Sequence, residues 1–264
     1  MIRHPAVSGF FYPSDPKKLR ELVTSFLTKS PREKALGIVV PHAGYVYSGK
    51  IAGEVYSRIE IPEEIVILSP NHTGLGKPFS IMPRGTWRTP LGDAEINSEL
   101  ASKMMETCPL LEEDGLAHVK EHSLEVQIPF LQVAKKGFRF VPITLGHVSY
   151  ENCKALGEGL ARAIGEKPVL LIASSDMNHY EDREKTMKKD QAALDCIQNR
   201  DPEALYKTVH AKNISMCGVI PTTVMLIAAN RLKASQATLV DHKTSGDVSG
   251  DFSSVVGYAG VIIQ

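Results

Sequence analysis

Apolar clusters of strand length alternate along the chain with apolar positions at helical spacing, the pattern of α/β layers rather than of segregated helices and sheets. Ser14, Asp15 and Pro16 supply cap and first-turn residues. Leu19, Leu22, Val23, Phe26 and Leu27 then fall on one face, which predicts the first helix. Ala35 to Val40 reads as a buried strand, followed by the loop PHAGYVYSG and a helix carrying Ile51, Ala52, Val55, Tyr56 and Ile59. Ile65 to Ser69 repeats the strand and ends in SPNHTGLGKP, and a hairpin is expected around Trp87. From Glu121 to Lys135 the spacing of Leu124, Ile128 and Leu131 predicts a helix that Pro129 either bends or begins.

Further strands are expected at Phe138 to Leu145 and Pro168 to Ala173, separated by a helix bearing Leu156, Leu160 and Ile164. Helices follow near Lys185 to Gln198, Pro202 to Val209 and Val219 to Leu232, then strands near Ala237 to Asp241 and Ser254 to Ile263. No repeat, low-complexity tract or linker interrupts this order. The 264 residues, 43% of them apolar, suit one large core. The expectation is therefore a single α/β domain over residues 1–264, with a central mixed, largely parallel sheet flanked by helices.

Thirty Lys plus Arg balance thirty Asp plus Glu, which removes the electrostatic footprint of a nucleic-acid or anionic-membrane binder. No apolar run reaches the roughly 18 residues of a spanning helix. The start MIRHPAVSGF lacks the apolar region of a signal peptide, and Cys108, Cys153, Cys196 and Cys217 show no paired spacing, so a reduced cytoplasmic chain is expected.

The nine histidines are the most suggestive chemistry. In open α/β sheets ligands bind beyond the carboxyl ends of the strands. His42, His72 and His179 all follow strand ends there, in loops that also contain Gly, Asn or Asp. His122, in EHSLE, could join them, with Glu125 one turn away. An anionic ligand would complete a metal site, and Asp176 and Cys217 both qualify. Cys217 precedes a predicted helix, where the macrodipole favours a thiolate. The other cysteines read as small core residues, and His4, His118, His147, His210 and His242 as ordinary surface or core histidines. Tyr45, Tyr47 and Tyr180 read equally as pocket wall or packing. GLGKP lacks the spacing of a phosphate loop, and SGDVSGDFSS lacks the ligand series of an EF-hand and reads as a tight loop beside the site.

At AVSGFFYPSDPKKL, PHAGYVYSG, SPNHTG, EHSLEVQIPFL, SSDMNHY, MCGVIP and TSGDVSGDFSSVVGYAG, in that order over nearly the whole chain, the sequence resembles the Memo family, in particular its prokaryotic branch, AmmeMemoRadiSam system protein B. The family is similar to class III extradiol dioxygenases, non-haem iron enzymes, which implies their α/β architecture. The resemblance further implies that His42 and His72 are imidazole ligands and that Cys217 stands where those dioxygenases place a carboxylate. It makes His179 the counterpart of their catalytic base, His122 a further pocket histidine that protonates or orients substrate, and Asp176 a member of the same cluster. The thiolate softens the donor set, so Fe(II) or copper is expected and zinc is also accommodated.

Two readings of function stay open. One is metal-dependent redox chemistry with O₂ on a small, for example aromatic, substrate. The other is a non-catalytic protein that binds metal, peptide or protein, associated with a radical-SAM protein and an AMMECR-type protein. No pattern in the chain specifies an oligomeric symmetry.

Overall fold

The computed structural model describes residues 1–264. Five parallel strands run side by side in the order Gly92–Ile96, Arg139–Leu145, Glu64–Pro70, Val169–Ser174 and Gly37–Val40. Val255–Ile263 adds antiparallel to Gly37–Val40, and Ala237–Thr244 pairs antiparallel with it in turn. On the other side the Trp87 hairpin, Thr86–Thr89 with Gly92–Ile96, extends the sheet, and Ile2–Arg3 pairs with its outer strand. This is a single-domain α/β fold with a mixed, mostly parallel sheet.

Alternate strand residues enter different cores because successive side chains point to opposite sheet faces. Val39, Val66, Leu68, Val141, Ile143, Leu171 and Ala173 face one cluster. Ile38, Val40, Ile65, Ile67, Leu170 and Ile172 face the other. Helix Val219–Arg231 is buried from Val219 to Ala229, the apolar-all-round composition of a helix enclosed by other layers. Asp15, Ser149, Asp182 and Asp201 cap helices Pro16–Phe26, Tyr150–Ile164, Arg183–Gln198 and Pro202–Ala211 by accepting from backbone N–H groups. No helix is long and apolar enough to cross a membrane.

Pro129 marks a helix start. The segment after Glu121 is irregular, passes through a 3₁₀ turn at Glu125–Gln127, and becomes α-helical only over Ile128–Ala134, with proline in its first turn. The helix after PHAGYVYSG begins at Tyr45, six residues before the first apolar position used to predict it. Helix Ser98–Thr107, capped by Asn97 and burying Leu100, Ala101 and Met104, has no counterpart among the predicted elements.

Candidate metal centre

The parallel strands deliver their following loops to one end of the sheet. His42 comes two residues after Val40, His72 two after Pro70, and Asp176 two after Ser174. His122 reaches the same place from the irregular segment ahead of helix Ile128–Ala134. A ligand atom from each of His42, His72 and His122 lies within 4.8 Å of the other two. The His72 and His122 rings stack at 4.7 Å between centroids and 24° between planes, and His42 stands edge-on to both.

Hydrogen bonding determines which ring nitrogens are free. Ser174 Oγ donates to the Ser123 carbonyl at 2.7 Å and accepts from Gln127 Nε2 at 2.9 Å. With its only proton engaged, it accepts from His42 Nδ1 at 3.0 Å. His72 Nδ1 donates to Glu121 Oε1 at 2.8 Å. Burial works against the Glu121 charge, yet hydrogen bonds from His72 and Ser123 bring its carboxyl down to about 2, leaving it ionised. His42, kept neutral by burial, therefore holds Nε2 as a lone-pair donor, and His72 is braced at Nδ1 in the way a carboxylate orients a metal-binding histidine. Burial and the neighbouring imidazoles hold His42 well below the usual histidine range, and burial lowers His122. Neutral, convergent imidazoles are what a transition metal requires. The residues present fit a divalent or redox metal, and the His42–His72–His122 group can bind one.

Cys217 Sγ lies 3.2 Å from His42 Nε2, outside that compact group but against its buried member. It precedes the Gly218 cap of helix Val219–Arg231, as the sequence implies. Without a metal, burial and then the Asp176 carboxylate push the Cys217 thiol well above its ordinary range, so the thiolate the sequence suggests would form only on coordination. Desolvation and a neighbouring negative charge outweigh the helix dipole here. The backbone N–H of Asp176 donates to Sγ at 3.3 Å.

Asp176 accepts from the His42 backbone N–H at 2.7 Å and lies 3.9 Å from His42 Nε2. Burial raises its carboxyl to about 7. His179 donates from Nδ1 to the Ser215 carbonyl at 2.9 Å, which leaves Nε2 as an acceptor, and burial lowers its pKa. It sits on a short strand paired with Val256, so the chain leading out of SGDVSGDFSS braces it. Tyr180, immediately after it, adopts φ 62° and is 79% exposed.

A cavity of about 480 Å³ opens beside the cluster, with His72 and Cys217 in its wall. Leu145, Val209, Met216 and Ile220 form its apolar side, and Asn71, Asn213 and Ser215 its uncharged polar groups. His147 and His210, expected to be ordinary, both line it. His147 follows Leu145 by two residues, the same strand-end position as His42, and that spacing could have singled it out. His118 and His242 are core histidines paired with Thr144 and Asp190. Tyr45 is packing, with its hydroxyl on the Val126 carbonyl.

Glu125 does not join His122. Its carboxylate is consumed by Arg3, Tyr12 and the backbone N–H groups of Ala6 and Val7. The carboxylate that serves the cluster is Glu121, one residue before His122.

A model of Memo-like proteins matches residues 3–262. The chain belongs to the Memo family. It is 46% identical to a MEMO1 family protein of Aquifex aeolicus, over 99% of this chain and 98% of that one. It is 42% identical to a MEMO1 family protein of Methanocaldococcus jannaschii, over 100% and 99% of the two chains. An uncharacterized protein of Escherichia coli K12 shares the fold with a TM-score of 0.60 at 13% identity, covering 87% of this Memo-family chain and 100% of its own.

Proposed function

We propose that this Memo-family protein is a metal-dependent oxidoreductase that uses O₂ to oxidise a small, uncharged substrate, an aromatic one in particular, with iron or copper as the metal. The observation that carries the reading is the convergence of His42, His72 and His122 within 4.8 Å, with His72 itself in the wall of a cavity. His42, His72 and His122 would hold the metal, with the Cys217 thiol beside His42 as the soft donor. Bound there, it would supply Lewis acidity and electron transfer.

The chain's own residues supply the rest. The cavity wall contains no Lys, Arg, Asp or Glu, so it offers no permanent charge to pair with a phosphate or carboxylate, and its apolar side favours a flat hydrocarbon surface. His179, neutral through burial and with Nε2 free, takes a proton from a substrate hydroxyl. Asp176 holds the His42 backbone and keeps that imidazole against Cys217. In this reading Asp176 and His179 are the catalytic partners, and His122 belongs to the donor set.

The test is anaerobic purification, reconstitution with Fe(II), copper or zinc, and oxygen consumption with a panel of catechols in wild type and His179→Ala. Substrate-dependent uptake in the wild type that is lost in the variant is the expected result. Stoichiometric metal binding with no turnover across the panel would overturn the enzymatic reading. It would favour a metal-binding accessory protein acting with radical-SAM and AMMECR-type partners.

A further inference from the structure

Two glutamates four residues apart are both fully buried beside the cluster, and their surroundings differ in kind. Glu125 has a fixed cation, Arg3, together with the Tyr12 hydroxyl and two backbone N–H groups. It is an anchor for the first residues of the chain. The Glu121 carboxylate has no lysine or arginine; Arg3 reaches only its backbone carbonyl, at 2.6 Å. Its partners are the His72 backbone N–H at 2.7 Å, His72 Nδ1 at 2.8 Å, and the Ser123 N–H and hydroxyl at 3.0 and 2.7 Å. The oxygen that receives His72 Nδ1 also faces His122 Nδ1 at 3.6 Å. A buried carboxylate without a paired cation is costly, and its placement behind two stacked imidazoles needs a reason.

We propose that Glu121 is a positioning residue of the metal centre: its carboxylate fixes His72 as the Nδ1–H tautomer and holds the Nε2 lone pair toward His42 and His122. The proposal rests on the metal-binding reading above. Backbone and side chain of His72 are gripped by the two oxygens of one carboxylate, Oε2 on the N–H and Oε1 on Nδ1, so the ring's position and its tautomer are set by the same group. All four partners of Glu121 are donors. An amide therefore cannot replace it, because the NH₂ group of Gln would meet a donor whichever way it is turned. The negative charge behind the ring also raises the basicity of Nε2, as carboxylates behind metal-bound histidines do.

The first measurement uses unmodified, metal-free protein at a pH high enough for the imidazoles to be neutral: long-range ¹H–¹⁵N correlation should show His72 protonated at Nδ1 and not at Nε2. The second is Co(II) titration. Glu121→Gln should lose roughly 10–100-fold in affinity, whereas Glu125→Gln should bind Co(II) within threefold of wild type while melting at a lower temperature. His72 protonated at Nε2 in the wild type would overturn the proposal, and so would a folded Glu121→Gln protein with wild-type affinity. If Glu121→Gln does not fold, the wild-type tautomer alone decides. Failure of the wild type to bind Co(II) would overturn the metal reading instead, and the spectrum would still decide whether Glu121 sets the His72 ring.

Discussion

The sulfur of Cys217 stands 3.2 Å from Nε2 of His42, although the two residues are 175 positions apart in the chain. The contact places a soft donor against the most buried of three imidazoles. Single replacements of His42, His72 or His122 by Ala should each reduce bound metal well below the wild-type stoichiometry, while His4→Ala and Cys196→Ser should not. Cys217→Ser should weaken binding and remove sulfur-to-metal charge-transfer absorption from the Co(II)- or Cu(II)-loaded protein. Elemental analysis and absorption spectra read both effects, and equal metal retention across the set would eliminate the site.

The anchoring of the first residues is an energetic prediction. Arg3 is 4% exposed and pairs with fully buried Glu125. Its guanidinium also donates to the His118 and Glu121 carbonyls and lies 4.2 Å from the Trp87 ring centre. Removing one partner leaves the other charge buried and uncompensated, which costs about 3–5 kcal/mol. Arg3→Met and Glu125→Gln should each show a loss of that order in urea denaturation. The double variant should lose less than the sum, which a double-mutant cycle measures.

His118 gives the fold a defined acid sensitivity. It is fully buried, and desolvation followed by the charge of Arg3 lowers its pKa to about 4. The unfolded chain, near 6.5, binds the proton more readily than the native one. Its contribution is therefore fully present above pH 6.5 and is lost as the pH falls toward 4, by about 2 kcal/mol at pH 5. His118→Asn, which keeps a group facing Thr144 but does not titrate, should show a smaller drop in unfolding free energy between pH 7.5 and pH 5. An unchanged pH dependence would contradict this assignment.

Gly218 makes the Cys217 turn possible by absence of bulk. A Cβ there would overlap the Ser175 side chain and the Ser174 carbonyl, and the Gly218 N–H donates to Ser175 Oγ at 3.1 Å. Gly218→Ala should cost about 1–3 kcal/mol through overpacking and move Cys217 away from His42. Thermal melting and the charge-transfer band should fall together. A destabilised protein with an unaltered band would show that the turn does not position the thiol.

Much of this architecture was legible in the chain. The apolar strands and their register-independent order of strand, loop and helix follow from period-2 and period-3.6 patterning, because burial of one face is a local requirement. His42 and His72 could be placed for the same reason, since a loop leaving a parallel strand in such a sheet opens on the ligand-binding edge. Helix Ser98–Thr107 was less visible: only Leu100, Ala101 and Met104 mark its buried face, and its other residues, Met105 apart, are polar and largely exposed.

The site needed tertiary structure. Nothing local distinguishes Glu121 from Glu125: both lie in EHSLEVQ and both are buried. Arg3, more than a hundred residues away, neutralises one of them, while His72 takes the other. The same holds for Cys217, whose position ahead of a helix suggests a thiolate, while burial of the sulfur and the packing of Asp176 push the metal-free thiol's pKa up. The sequence by itself determined which strands form and which histidines end them, because those depend on short-range periodicity. The tertiary structure alone decided which charges are paired, which ring nitrogens are braced and which way each buried group's pKa moves, because Coulombic and desolvation energies depend on distances that sequence spacing does not contain.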